Sequence, residues 1–232
     1  DVLIVAVKAT ANPEVRARLA EHADRVLGDS GCLLLIQNGI GAERGYAEIL
    51  GQRPVLGGLA FLCSQQRAPG RIVHLDHGAL TIAAHAPGDA PAGIHPAMNT
   101  VAADLRSAEV DVILEDDLIR ARWRKLVWNI PFNALSVILN ATTEELMADA
   151  GTVELIRTLM AEVVRAARAE GRDLPPDVIE HLLTTTRAMA PYATSMKLDA
   201  DAGRPLEVEA ILGEPLRRAE SAGSPMPAVQ VL

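Results

Sequence analysis

The chain has 232 residues, 49% of them hydrophobic and 22% charged, with a formal net charge of -8. That is enough apolar material for one large domain or two modest ones, and the acidic balance leaves no basic patch to hold nucleic acid. No run approaches the roughly 18 apolar residues needed to cross a bilayer, and none reads as a signal peptide, so no membrane partner is expected.

The first stretch, Asp1 followed by VLIVAVK, is an apolar run of the kind that forms a buried parallel strand. A helix is expected from about Pro13 to Leu27, a second strand from Cys32 to Gly39, a short helix near Glu43 to Leu50, and a third strand from Val55. Strands alternating with helices predict an α/β fold with a parallel sheet. Ligands of such sheets bind beyond the carboxyl ends of the strands, which singles out Lys8 at the end of the first and Asn38-Gly39-Ile40-Gly41 at the end of the second. The same glycines would also serve as plain turn formers. Cys32 and Cys63 both lie in apolar runs, which predicts reduced core thiols and a cytoplasmic protein rather than a disulfide or metal pair.

Beyond the third strand, RIVHLDHGALTIAA (71–84) reads as a hairpin turning at His77-Gly78. His74, Asp76 and His77 lack a further ligand cluster, so no metal is expected there. A Pro/Gly/Ala-rich loop from Ala86 to Pro96 precedes a helix near Met98 to Ser107, and VDVILEDDL supplies a last strand. A boundary is expected near Asp116, dividing the chain into 1–116 and a helical 117–232.

The helical half opens with WRKLVWNIPFNALSVILN (123–140). On a helix, Lys125, Asn129, Asn133, Ser136 and Asn140 fall within an arc of roughly 80°, and everything else from Leu126 to Leu139 is apolar. A solvent-facing helix carries a broad charged face; a narrow polar strip on an otherwise apolar cylinder predicts a buried helix lining a small polar cavity. The amides and hydroxyl would equally be satisfied by bonding neighbouring backbone. Lys125 argues further, because a lysine is almost never fully buried without a partner, and burial lowers its pKa into a range where it exchanges protons near neutrality. Only Lys8, Lys125 and Lys197 are lysines in a chain with 22 Lys plus Arg; Arg does not release its proton in practice, whereas Lys does. Pro131 is expected to kink this helix. An amphipathic helix follows near Val153 to Glu170 with Gly171 as its cap, then Val178 to Met189 after Pro175-Pro176. Farther on, Pro205 is read as a helix start that puts Glu207 in the first turn, where a carboxylate also suits the helix dipole.

The succession VKA, QNGIG, WRKLVWNIPFN, then SM, Asp199 and GRPLEVEAILG resembles the ketopantoate reductase family over essentially all 232 residues. The resemblance implies an incomplete Rossmann-type sheet followed by an all-helical domain similar to the 6-phosphogluconate dehydrogenase C-terminal domain. It implies NADPH-dependent reduction of 2-dehydropantoate to pantoate, in pantothenate and coenzyme A biosynthesis. By that resemblance Lys125 is the proton donor and Asn129, Asn133 and Ser195 hold the substrate. Glu207 lies close to both substrate and cofactor, and Asn38 and Lys8 contact the NADPH. A further family asparagine falls on Thr143, a departure that opens the alternative of another 2-keto acid, with the FLCSQQRAPG loop (61–70) shaping a different pocket. A third alternative is a non-catalytic helical interaction module. The family's first strand and GxGxxG turn are not within the 232 residues, so this stretch alone is expected to bind NADPH little if at all. The Leu-, Val- and Ala-rich helices after Gly151 suggest a homodimer.

Overall fold

The computed structural model describes residues 1–189, 191 and 193–232, and of residues 65–67 the backbone alone. The chain divides into two compact units, Asp1–Ala121 and Arg122–Leu232.

The first unit carries β1 (Val2–Val5), α1 (Asn12–Leu27), β2 (Cys32–Ile36), α2 (Ala42–Leu50), β3 (Val55–Ala68), β4 (Arg71–Ala84), α3 (Pro96–Ser107) and β5 (Val112–Glu115). The five strands form one sheet in sequence order. β2 shows why its sequence is an unbroken apolar run. Cys32 and Leu34 pack with Met98, Val101 and Ala102 of α3 on one face, while Leu33 and Leu35 pack with Leu19, Leu27, Tyr46 and Leu50 of α1 and α2 on the other. A strand covered on both sides has no polar face to alternate with. Each leucine so buried contributes about 1.5–3 kcal/mol.

The sheet is mixed rather than wholly parallel: β1–β2, β2–β3 and β4–β5 pair parallel, but β3 and β4 pair antiparallel along almost their whole length. The hairpin turns at Pro69-Gly70, between the paired Ala68 and Arg71, with Gly70 at φ 72 where a type II turn needs its left-handed residue. The expected turn at His77-Gly78 is instead an irregularity inside β4. There Ala79 pairs with Phe61 and His77 with Leu62, so the register shifts by a residue, and His77 sits at φ 59. The stretch 61–70, expected as a loop, is the far end of β3 and this turn; the side chains at 65–67 lie outside the described residues. His74, Asp76 and His77 are local to the irregularity, where His74 Nε2 donates to the Asp76 carbonyl at 3.2 Å.

The second unit is helical. It takes α4 (Leu118–Ile138) from Arg122 onward, then α5 (Thr143–Ala148), α6 (Ala150–Ala169), α7 (Val178–Ala188), α8 (Ser195–Asp201), α9 (Glu214–Ser221) and α10 (Pro227–Val231). α4 is buried around most of its circumference by Trp123, Leu126, Val127, Ile130, Phe132 and Leu135, and it continues through Pro131 without a break. Both indole N–H groups of α4 are paired: Trp123 Nε1 donates to Glu170, which also accepts from Arg218, and Trp128 Nε1 donates to Thr186 Oγ1 at 2.9 Å. Trp128 stacks on Phe132 with ring centroids 4.8 Å apart. α6 is closed off by Gly171, two positions past its last residue at φ 77, with the Arg172 amide bonding back to the Ala167 carbonyl. The carboxylate of Glu162, 5% exposed, accepts the amides of Ala228 and Val229 at 3.0–3.1 Å and so caps α10.

Candidate functional site

The strand-end residues belong to the first unit. β1 stops at Val5, so Lys8 is not the closing residue of the strand but lies three positions beyond it, exposed, and its carbonyl accepts the Ala11 amide. Asn38 is half-buried two residues past β2, in a loop whose Gly39 (φ 89) and Gly41 (φ 85) take conformations that glycine adopts without strain. Beside it is a buried amide network that sequence reading missed. Gln37 Nε2 donates to the Val7 carbonyl and to Asn12 Oδ1, both at 2.8 Å; Asn12 Nδ2 donates to Gln37 Oε1 at 3.0 Å; and Tyr46 Oη donates to Asn12 Oδ1 at 2.8 Å. These bonds fix the loops after β1 and β2 to one another. The signal available was Gln37, a polar residue directly after the five-residue apolar run of β2 and before NG.

The remaining site residues belong to the second unit. Lys125, Asn129, Asn133 and Ser136 follow one another at helical spacing along α4. Lys125 is half-buried. Desolvation, the positive charge of Arg122 one turn earlier and, in the opposite sense, the negative charge of Glu207 together lower its pKa from the ordinary 10.5 to about 7. Arg122, buried itself, was not singled out from the sequence; its spacing of three residues from Lys125 was the available sign. Lys197 is engaged elsewhere, its Nζ 2.5 Å from Asp201 Oδ1.

Asn129 is 5% exposed, and its Nδ2 has no hydrogen-bond partner among the described residues. Buried polar groups are nearly always paired, so this donor is chemically able to take an acceptor. Asn133 is buried, and its Oδ1 accepts the Met196 amide at 3.3 Å. Ser136 faces inward to protein, its hydroxyl 2.6 Å from that of Thr194. Asn140, expected on the same strip, is exposed at φ 53 beyond the end of α4 and does not extend it.

Ser195 opens α8, between Thr194, whose hydroxyl caps the helix by accepting the Lys197 amide, and Met196. Glu207 is 4% exposed. It stands just ahead of a helix that starts at Val208 and runs through a π-helical turn, Glu209–Gly213, into α9, rather than inside a first turn begun by Pro205. Its carbonyl accepts the Ile211 amide at 3.0 Å. Thr143, at the start of α5, is buried. Among the described residues no cluster of three or more His, Cys, Asp or Glu is placed to hold a metal, and no helix is long and apolar enough to cross a membrane. Cys32 and Cys63 are free and buried.

The second unit thus sets a depressed-pKa amine, an amide whose buried Nδ2 has no partner among the described residues and a second oriented amide along α4, with the Glu207 carboxylate acting on the amine. The chain as a whole is similar to known proteins. Family models described as ketopantoate reductase PanE/ApbA and its C-terminal part match residues 1–87 and 117–232. A 2-dehydropantoate 2-reductase from Nostoc is 44% identical over the whole chain, which covers 72% of that protein. Among solved structures, 2-dehydropantoate 2-reductase from Geobacter metallireducens superposes with a TM-score of 0.88 at 36% identity, covering 100% of this chain and 75% of that one. D-mandelate dehydrogenase, solved with NADH and anilino(oxo)acetate, shares the fold alone, at a TM-score of 0.85 and 20% identity, covering 100% and 72% of the two chains. The chain belongs to the ketopantoate reductase family.

Proposed function

We propose that this protein reduces 2-dehydropantoate to pantoate with NADPH, in pantothenate and coenzyme A biosynthesis, and that Lys125 is the proton donor. The observation that carries this reading is the Lys125 amine. Burial and the positive charge of Arg122, opposed by Glu207, bring its pKa to about 7, and it lies on the same helix as Asn129, whose Nδ2 has no partner among the described residues.

In this reading residues 1–116 contribute to nucleotide binding and 117–232 form the substrate-binding and catalytic domain. The strand-end loops suit a dinucleotide: Lys8 is an exposed cation, Asn38 an uncharged amide, and the Gly39 and Gly41 backbone carries no Cβ to keep a ligand away. Lys8, Asn38 and Glu207 would hold NADPH, which when bound supplies the hydride. As negative charge develops on the keto oxygen, the Lys125 ammonium stabilises it and then gives up a proton. Glu207 favours the charged form of Lys125, so it keeps the donor loaded and serves catalysis with it. Asn129 Nδ2, Asn133 and the Ser195 hydroxyl bind the carboxylate and hydroxyl oxygens of the substrate, and their neutrality avoids competing with the amine for charge.

The direct test is the full-length gene product assayed with NADPH and 2-dehydropantoate. Lys125→Ala should lower kcat by about 10²–10⁴-fold while changing KM little, and Lys125→Arg should fail as well. An unchanged turnover number removes Lys125 from the chemistry. A second reading, reduction of another 2-keto acid, is favoured by Thr143, which stands where the resemblance expects an asparagine; a panel of smaller keto acids separates the two. A homodimer and a cytoplasmic location complete the proposal. Exposed Ile138, Leu139 and Leu155 provide apolar surface for the dimer, checked by light scattering, and the buried free thiols suit a reducing compartment.

A further inference from the structure

The middle of α4 is tied to the start of α8 by a chain of hydrogen bonds whose direction follows from proton counting. Ser136 Oγ donates to the Asn133 carbonyl at 3.0 Å. A hydroxyl has one proton, so the 2.6 Å contact between Ser136 and Thr194 requires Thr194 to donate and Ser136 to accept. Thr194 Oγ1 in turn accepts the Lys197 amide at 3.2 Å. The relay therefore runs in one direction, from the Lys197 amide through two fully buried hydroxyls to the α4 backbone at Asn133. A second tie runs parallel to it: the Met196 amide donates to Asn133 Oδ1 at 3.3 Å. Because that oxygen is taken by a backbone donor, the amide orientation of Asn133 is settled, and its Nδ2 is the edge presented to an acceptor.

We propose that Thr194 and Ser136 are positioning residues for the keto-acid site. They do not touch substrate. They clamp the 194–197 turn onto α4, which holds Ser195 at a fixed place relative to the Asn129–Asn133 amides and turns the Asn133 donor outward from the tie. The ligand class this suits is a small acid bearing several acceptor oxygens, such as a 2-keto acid with a carboxylate and a hydroxyl. The inference rests on the reading of residues 117–232 as the substrate-binding domain. It adds that binding depends on two hydroxyls the substrate never meets, so the damage from losing them should fall on KM and spare the proton transfer at Lys125.

The test uses steady-state kinetics of the full-length gene product with NADPH and 2-dehydropantoate. Thr194→Val keeps the volume and removes both hydroxyl bonds; KM should rise about tenfold while kcat changes less than about threefold. Thr194→Ser restores the hydroxyl and should return KM to the parent value. Ser136→Ala leaves the Lys197 cap intact and breaks only the tie to α4. It should raise KM to a similar degree, and it provides the measurement if Thr194→Val does not fold. The double variant should be no worse than the worse single, since both act through one relay. An unchanged KM in Ser136→Ala, or Thr194→Ser behaving like Thr194→Val, overturns the proposal while parental activity leaves the reductase reading standing. A parent protein that reduces no 2-keto acid, or a Lys125→Ala variant with full turnover, overturns that reading and takes the positioning role with it.

Discussion

At the scale of single residues, the burial of Lys125 and the opposed charges around it make a pH experiment decisive. A proton donor with a pKa of about 7 loses its proton as pH rises through neutrality, so kcat should fall on the alkaline side. Glu207 raises the Lys125 pKa; Glu207→Gln removes that influence and should move the falling limb to lower pH, read from pH–rate profiles of the residual activity. An unmoved limb would mean that another group titrates. Asn129 leads to a trade between stability and binding. Its buried Nδ2 lacks a partner among the described residues, and an unsatisfied buried donor costs about 1–3 kcal/mol. Asn129→Leu should therefore raise the melting temperature of the ligand-free protein by several degrees while abolishing keto-acid binding. The grouping of Lys125, Asn129 and Asn133 was legible because helical period alone puts them on one side. Asn140 was misplaced because the same arithmetic does not say where a helix stops, and α4 stops at Ile138 with Asn140 turned to positive φ. The missing partner of Asn129 Nδ2 among the described residues and the influence of the Glu207 charge on the amine are tertiary facts, with no local trace.

At the scale of elements, β4 shows how one local signal serves two structures. A His-Gly pair whose first residue adopts positive φ marks a tight turn or an irregularity within a strand, since both need that backbone. Only pairing separates them, and the register of β3 with β4 puts the turn at Pro69-Gly70. The buried strands were easier to read, because β2 is covered on both faces and its apolar run is unbroken. The last helix was not singled out at all. α10 is five residues long, too short to be stable by propensity, and its start is fixed by the Glu162 carboxylate from α6. Glu162→Ala should leave those amides without an acceptor, cost about 1–3 kcal/mol, and speed hydrogen exchange at residues 228–229 well before the rest of the second unit. Parental exchange there would show that packing of Val229 alone holds the helix.

At the scale of the whole molecule, the Lys125 amine is a cost to folding. Its pKa lies near 7 in the folded protein and 10.5 ordinarily, so between those values the unfolded chain binds more protons and stability rises with pH. The penalty is complete below pH 7 and absent above about 10.5. Lys125→Met should therefore unfold at higher denaturant concentration than the parent at pH 6.5, with the difference shrinking by pH 10; a constant difference would assign the gain to packing instead. Only two of the 232 residues are tryptophan, Trp123 and Trp128, and both belong to the same turn and a half of α4, within the unit that begins at Arg122. Indole emission is consequently a private spectroscopic channel for the helical unit. A shift in its wavelength during denaturation dates the loss of that unit alone, whereas far-ultraviolet dichroism averages over both, so any gap between the two curves measures how independently the halves come apart.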